Sequence, residues 1–296
     1  MEINAKVIAD SISTETGTRI MTFELEYHRF IHAEFMTHRV FSRNAASSRA
    51  IPVAKMLEMV RTDPAAPIFF GKNRAGMQAV EEVDSPDECL DVWRTMAKMT
   101  ADGVEKLTAL GLHKQHANRP LEPYQFIKVV MTTTDFANWD WLRDHGDAQP
   151  EIQALARVIS YWKGKSKPKR IDYGEWHMPY VKWKRDDYGF QVFYDEKDSP
   201  ISVKEALMIS SSCCAQVSYR KLDGTLEKAE DIYKKLIESK PCHASPTEHQ
   251  ATPIDPDNKL EKGVTHIQLR DGAACSGNFR WWIQHRQLIE GHTQYD

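Results

Sequence analysis

The sequence predicts an α/β fold in which a mixed or antiparallel sheet is packed by long helices. Residues 6–12 and 19–27 have the composition of strands, and the second segment alternates apolar and polar side chains. The turn-forming residues 16–18 between them predict a hairpin. A long helix is predicted from Ser85 to about residue 110, because a serine followed by Pro86 and two acids is a typical helix start. A second helix is predicted from Pro150 to about residue 162.

Apolar residues at helical spacing predict further helices. These cover residues 30–36, 53–60, 200–217, 225–239 and 278–288, together with a helix that Asp135 caps and that carries Trp139 and Trp141. Residues 173–194 are aromatic and broken by glycine and proline, which favours a β-ribbon or an irregular insertion. The state of residues 122–130 is left open. We divide the chain into residues 1–162, a linker and ribbon over 163–200, and residues 201–296, within one compact domain overall.

Composition and charge exclude several classes of protein. The chain of 296 residues is 41% hydrophobic and 27% charged, which is ordinary for a globular protein. A net charge of −3 gives no bulk attraction to nucleic acid, and no apolar run is long enough to span a membrane. The N-terminal residues form no targeting segment, and five irregularly spaced cysteines indicate reduced thiols. We therefore expect a cytoplasmic protein with no membrane and no nucleic-acid partner.

Two groups of cysteine and histidine residues could carry chemistry, but neither is favoured. Cys242, His243 and His249 would need distant partners to hold a metal, and no cysteine-pair spacing supports zinc, so we expect no metal. Cys213 and Cys214 lie in an apolar helical pattern, which favours buried, unreactive thiols over a nucleophile. No P-loop or dinucleotide-binding glycine pattern is present.

Residues 37–49 form the most distinctive stretch of the chain. They hold three arginines, three serines, a histidine, a threonine and an asparagine, without an acid. Guanidinium groups match the geometry of phosphate, and hydroxyl and amide groups add neutral donors. We interpret this stretch as a binding site for a phosphate-bearing ligand. The alternative is a solvated, basic surface turn.

The same stretch carries a family resemblance. Residues 21–50 resemble, without a gap, the signature region of the flavin-dependent thymidylate synthases. That signature has Arg-His-Arg, seven residues and then Ser, and here Thr37-His38-Arg39 is followed after seven residues by Ser47. Ser42, Asn44 and Arg49 also fall in place.

Two further blocks extend the resemblance. Asn138, Leu142-Arg143 and residues 148–152 are similar to the downstream region of the family. Residues 217–220, 226–239 and 245–249 resemble the beginning of the family sequence, but here they follow the signature, and residues 280–286 form a reduced echo of it. The chain is therefore identified as a rearranged, permuted member of the family, with a flavin-dependent thymidylate synthase-like fold.

The resemblance implies an activity and its cofactors. The family transfers a one-carbon unit from 5,10-methylenetetrahydrofolate to C5 of dUMP, giving dTMP, with FAD and NADPH as redox cofactors. It forms a homotetramer with active sites between subunits. Carried over by position, the cofactor-binding residues are His38, Arg39, Asn44, Asn138 and His249. The substrate-binding residues are Glu34, Ser47, Ser48, Arg49 and Arg143, of which Arg143 and Ser47 are the catalytic candidates.

Departures from the family pattern leave alternatives open. Thr37 and Ala45 remove a cation and a carboxylate from the signature, and Arg280, His285 and Arg286 could compensate. Glu34 stands where the family often has glutamine, and a carboxylate could accept a hydrogen bond from the amine of cytosine. One alternative is therefore a flavin- and folate-dependent hydroxymethylase of dUMP or dCMP. Another is a non-catalytic relative that binds nucleic acid, which the net charge disfavours.

Overall fold

A five-stranded sheet forms the centre of the molecule. The computed structural model describes residues 2–218 and 221–294, and within them this sheet has the order β3-β4-β2-β1-β5. The strands are β1 (Asn4–Ser13), β2 (Arg19–His28), β3 (Ser42–Ala45), β4 (Phe126–Thr133) and β5 (Lys169–Ile171). Neighbouring strands are antiparallel except β1 and β5, which are parallel. The predicted mixed sheet and the predicted hairpin of β1 and β2 are confirmed.

Helices pack against this sheet and against each other. They are α1 (His32–Phe35), α2 (Val53–Thr62), α3 (Pro86–Ala109), α4 (Lys114–Ala117), α5 (Ala137–Arg143), α6 (Pro150–Lys165), α7 (Val203–Ala215) and α8 (Leu226–Leu236). One face of α6 is apolar, and Ile152, Leu155 and Ile159 are fully buried against the β2–β4 core. The long helix predicted from Ser85 is confirmed as α3, because Pro86 occupies its first turn and two acids follow.

In the described part of the chain, short strands build three smaller sheets. They are β6 (Lys182–Arg185), β7 (Gln191–Tyr194), β8 (Pro200–Ile201), β9 (Ala251–Pro253), β10 (His266–Ile267), β11 (Ala274–Ser276), β12 (Phe279–Arg280) and β13 (Trp282–Gln284). β6 and β7 pair antiparallel, which confirms the predicted ribbon within residues 173–194. β9, which begins two residues after His249, pairs antiparallel with β13 near the C-terminal end of the chain.

The helix predicted over residues 278–288 is wrong. The chain there forms β12 and β13, followed by a 3-10 turn at His285–Leu288. Trp281 lies between the strands with φ +61°, a left-handed conformation that a right-handed helix does not contain. Phe279 and Trp282 are fully buried, so their aromatic side chains pack as parts of a β structure.

Several predicted boundaries shift. The helix predicted over 30–36 is a 3-10 turn, Arg29–Ile31, followed by the single turn α1. The helix predicted from residue 200 begins at Val203, because Ser202 and Glu205 form a capping box. Of residues 122–130, whose state the sequence left open, the first three end a 3-10 helix and residues 126–130 belong to β4. α6 ends at Lys165, three residues beyond the predicted end and inside the segment predicted as a linker. The division of the chain at residues 162 and 200 stays a prediction. No described helix is both long and apolar enough to cross a membrane.

Candidate functional site

Arg43 of the basic stretch holds the loop that follows α1. Its Nη1 donates to the backbone oxygens of Phe35, Met36 and His38 at 3.3, 3.0 and 3.0 Å. Three carbonyl groups at one guanidinium fix the path of the chain into β3. Arg43 therefore positions the loop between α1 and β3, and its Nη1 already donates its hydrogen bonds to backbone carbonyls.

Glu34, His38 and Arg143 form a connected trio beside this loop. Arg143 stands at the end of α5, where its Nη1 forms an ion pair with Glu34 Oε1. Its Nε donates to His38 Nε2 at 2.8 Å, so the proton of the neutral imidazole lies on Nδ1. Burial, and then the neighbouring Arg143 and Arg43, lower the pKa of His38 to about 4. The trio thus combines one cation, one anion and one neutral ring.

A large cavity opens next to the trio. Glu34 and Arg143 line it together with Trp141, His145 and Arg157, and its volume is about 1350 Å³. Cavities that bind one small molecule commonly measure about 300–1,000 Å³. The space is therefore larger than one small molecule usually needs.

The second half of the signature lines a different, smaller cavity. Asn44 and Ser47 border a space of about 330 Å³ together with Ser218 and Ser245. The Ser47 backbone N–H donates to Ser218 Oγ at 2.9 Å, and Asn44 Nδ2 donates to the Cys214 carbonyl at 3.2 Å. The structure therefore brings the third sequence block next to the signature. Tyr219 and Arg220 of that block lie outside the described residues.

The remaining predicted ligand contacts differ in exposure. Arg39, Arg49 and Asn138 are exposed, whereas Ser48 is buried and His249 is inaccessible to solvent. Two polar atoms of predicted cofactor-binding residues, Asn44 Oδ1 and His249 Nε2, are buried without a hydrogen-bond partner in the described part of the chain. Buried polar atoms rarely stay unpaired, so each of these two atoms needs a partner that the described residues do not supply.

The cations of the signature echo are already paired. Arg280 forms ion pairs with Asp271 and, at 3.8 Å, with Asp135. Arg286 is paired with Glu248, and burial lowers the pKa of His285 to about 4. Compensation for Thr37 by these residues stays a prediction.

Cys213 and Cys214 are buried free thiols, and the described residues contain no cluster of metal-ligating side chains. Cys213 and Cys214 are buried, and burial raises the pKa of the Cys213 thiol to about 12 and that of Cys214 well above its ordinary value. No group of three or more His, Cys, Asp or Glu side chains that could hold a metal ion occurs in residues 2–218 and 221–294.

Sequence reasoning missed a set of buried polar side chains on the central sheet. The hydroxyl groups of Thr22 and Thr132 are hydrogen-bonded to each other at 2.7 Å. Thr22 Oγ1 also contacts His177 Nε2, and Thr132 Oγ1 contacts His249 Nδ1. Only the run of three threonines at 132–134 offered a signal in the sequence. His177 offered none, because it lies in the segment that was interpreted as a ribbon.

Comparison with known proteins decides the family. The family of thymidylate synthase complementing proteins matches residues 6–162, which is more than half of the chain. The chain belongs to this family. Membership confirms the resemblance and the fold class, and it indicates a nucleotide-modifying enzyme with thymidylate synthase-type or related activity.

Other comparisons are weaker. Among curated proteins, none matches the chain. Two crystal structures of a UMP/dUMP methylase, PolB from Streptomyces cacaoi, are similar at 15% identity: one bound with 5-Br UMP (TM-score 0.43) and one with 5-Br dUMP (TM-score 0.46). Each match covers 55% of this chain and 89% or 90% of the other. Both TM-scores lie below 0.5, and nothing about this chain follows from them.

Acid should destabilise the fold through its buried histidines. The pKa of His38 is about 4 and that of His177 and His249 about 3, below the ordinary value of 6.5. As pH falls below about 6.5, the unfolded chain binds protons that the folded chain does not, so the unfolding free energy falls toward pH 4. Urea unfolding at about pH 7.5 and pH 5 should show this loss. His38→Gln should reduce it, whereas the same change at the exposed His145 should leave it unchanged, and an unfolding free energy that rises on acidification would contradict the argument.

Proposed function

We propose that this protein transfers a one-carbon unit from 5,10-methylenetetrahydrofolate to C5 of dUMP, giving dTMP, with FAD and NADPH as cofactors. The observation that carries the proposal is Arg143, held by Glu34 and His38 at the wall of the large cavity. A fixed cation beside a pyrimidine ring stabilises negative charge that develops on the ring oxygens. Family membership supports the choice of substrate and cofactors.

The residues present fit a flavin. Asn44 Oδ1 and His249 Nε2, which lack a partner within residues 2–218 and 221–294, can bond to ring or sugar groups, and the exposed Arg39 can bind phosphate. When bound, reduced flavin supplies the hydride that a new methyl group requires. The residues of this chain orient the ligands: Arg143 and Glu34 at the pyrimidine, and Ser47, Ser48 and Arg49 at the nucleotide phosphate or sugar.

The proposed substrate residues lie in two groups within one chain. Glu34 and Arg143 line the large cavity, whereas Ser47 lines the small one. A homotetramer with sites between subunits, as the resemblance implies, would allow one nucleotide to use both groups. We include this assembly in the proposal.

Spectroscopy and product analysis test the proposal. The purified protein, or the protein after addition of FAD, should show a flavin absorption band that denaturation releases. Incubation with dUMP, methylenetetrahydrofolate and NADPH should give a nucleotide heavier by one methylene unit. If no pyrimidine nucleotide gains mass with any folate or reductant, the proposal fails, and salt-dependent DNA binding by a colourless protein would favour the non-catalytic alternative.

A second candidate function rests on Glu34. A carboxylate accepts hydrogen bonds but cannot donate them, and it suits the amine of cytosine better than the O4 of uracil. The pairing of Glu34 with Arg143 places this carboxylate at the same cavity wall. The candidate is a hydroxymethylase acting on dCMP or dUMP, whose product gains a hydroxymethyl group.

Glu34→Gln should shift the preference between the two pyrimidines. An amide can donate to O4, whereas a mismatched polar contact costs about 1–3 kcal/mol, so turnover on dUMP relative to dCMP should rise about tenfold or more. Competition between the two nucleotides, followed by mass analysis, measures the ratio. Asp147→Asn, at an exposed acid that lines the same cavity, is the control and should leave the ratio unchanged. An unchanged ratio in Glu34→Gln would remove Glu34 from substrate selection.

A further inference from the structure

A line of five buried side chains crosses the central sheet and ends at His249. Ser11 Oγ contacts His177 Nδ1 at 2.9 Å, and His177 Nε2 contacts Thr22 Oγ1 at 2.9 Å. Thr22 Oγ1 contacts Thr132 Oγ1 at 2.7 Å, and Thr132 Oγ1 contacts His249 Nδ1 at 2.8 Å. No member is more than 2% exposed. The far nitrogen of His249, Nε2, has no partner among the described residues.

The backbone holds this line in place. Thr22 and Thr132 are directly opposite each other on β2 and β4, so their side chains share one face of the sheet. His177 is fixed by two backbone bonds to Ala251, from the His177 N–H to Ala251 O at 2.8 Å and from the Ala251 N–H to His177 O at 3.2 Å. Ala251 follows His249 by two residues, so the same connection sets the positions of both histidines. His177 lies outside the residues that match the family.

Counting protons gives the line a direction. Each hydroxyl and each neutral imidazole has one proton to donate, and burial keeps both rings neutral by lowering the pKa of each to about 3. If Ser11 donates to His177, each following bond points the same way, and His249 Nδ1 accepts from Thr132. The only atom then left unpaired is the His249 Nε2–H.

The reverse order is less favourable. His249 would donate from Nδ1, and every bond would point back toward Ser11. The Ser11 hydroxyl would then lack an acceptor among residues 2–218 and 221–294, and the bare Nε2 of His249 would also be unpaired. Two unpaired buried atoms cost more than one. The tautomer of His249 is therefore set by the hydroxyl groups that precede it in the line.

We propose that Thr132, the last hydroxyl of the line that starts at Ser11, locks His249 in the Nε2–H tautomer, so that it presents a hydrogen-bond donor to an acceptor atom of a ring-bearing ligand. Thr132 is in this view a positioning residue, which acts on the ligand through His249. A ring carbonyl or an unprotonated ring nitrogen is the complementary group, as flavin and pterin rings provide. Only the identity of the ligand rests on the proposed function.

Nitrogen NMR of the ligand-free protein tests the tautomer directly. With ¹⁵N-labelled histidine, the ring shifts of His249 should show a protonated Nε2 and an unprotonated Nδ1 at neutral pH. Thr132→Val removes the donor to Nδ1 and should give a mixture of tautomers. His177→Leu should keep the Nε2–H form, because Thr22 would then be the hydroxyl without an acceptor in the reverse order. His177→Gln should keep the Nε2–H form, because its amide can still donate to Thr22.

A matched substitution separates the proposal from a general packing effect. Thr252 is a buried threonine whose Oγ1 has no partner in the described chain, so Thr252→Val removes a hydroxyl without cutting the line. It should leave the His249 tautomer and the FAD affinity unchanged, whereas Thr132→Val should weaken FAD binding about tenfold or more.

The outcomes distinguish the two proposals. A protonated Nδ1 on His249 in the wild-type protein, or a tautomer that Thr132→Val does not change, would overturn the locking role. If the variants do not fold, the wild-type spectrum alone decides the tautomer. If the wild-type protein shows the Nε2–H form but binds neither flavin nor folate, the proposed function fails while the locked tautomer stands.

Discussion

Arg143→Ala should lower the turnover number about 10²–10³-fold while leaving the fold intact. Removing one preorganised donor from a site where negative charge develops typically costs this much. Arg143 is well placed for such a role, because Glu34 and His38 hold its guanidinium before any ligand arrives. Arg143→Lys keeps the charge but not the fork that reaches both partners, so an intermediate loss is expected. Steady-state rates with saturating nucleotide and folate measure the effect.

Arg157→Ala is the matched control for this experiment. Arg157 lines the same cavity, is exposed, and is paired with Asp144 at 2.8 Å. Its removal deletes a positive charge from the cavity without touching the Glu34–His38–Arg143 trio, and turnover should stay within about twofold, since exposed ion pairs contribute little. Equal losses in both variants would mean that the cavity needs its total charge rather than a fixed guanidinium.

The parts of the fold that the sequence predicted correctly are set by neighbouring residues. The alternation in β2 and the Ser85–Pro86 start of α3 depend only on side chains within a few positions of each other. The helix predicted over residues 278–288 is wrong because this segment pairs with a distant strand. β13 pairs with β9, about thirty positions earlier, and local periodicity carries no information about such a pairing.

In the candidate site, too, local spacing could be recognised in the sequence, whereas contacts between distant segments could not. The spacing from His38 to Ser47 was enough to identify the signature, and Ser42 and Asn44 lie on one face of β3 because side chains alternate along a strand. Arg143 is 109 positions from Glu34, and His177 is 155 positions from Thr22. These contacts form only when α5 and the 177 segment dock on the sheet. A single sequence therefore indicates the candidate binding residues of the signature, but not the side chains that hold them in place.

Trp139→Ala should lower the unfolding free energy by about 3–5 kcal/mol, as truncation of a buried aromatic side chain generally does. Trp139 is fully buried, with ring centroids 5.4 Å from Phe35 and Phe41 and 4.7 Å from His38. Its Nε1 has no hydrogen-bond partner among the described residues, so the loss measures packing. Trp141, two positions along the same helix, is 73% exposed, and Trp141→Ala should change the unfolding free energy by no more than about 0.5 kcal/mol. Urea unfolding of both variants gives the comparison, and similar losses in the two would show that α5 does not present Trp139 to the core.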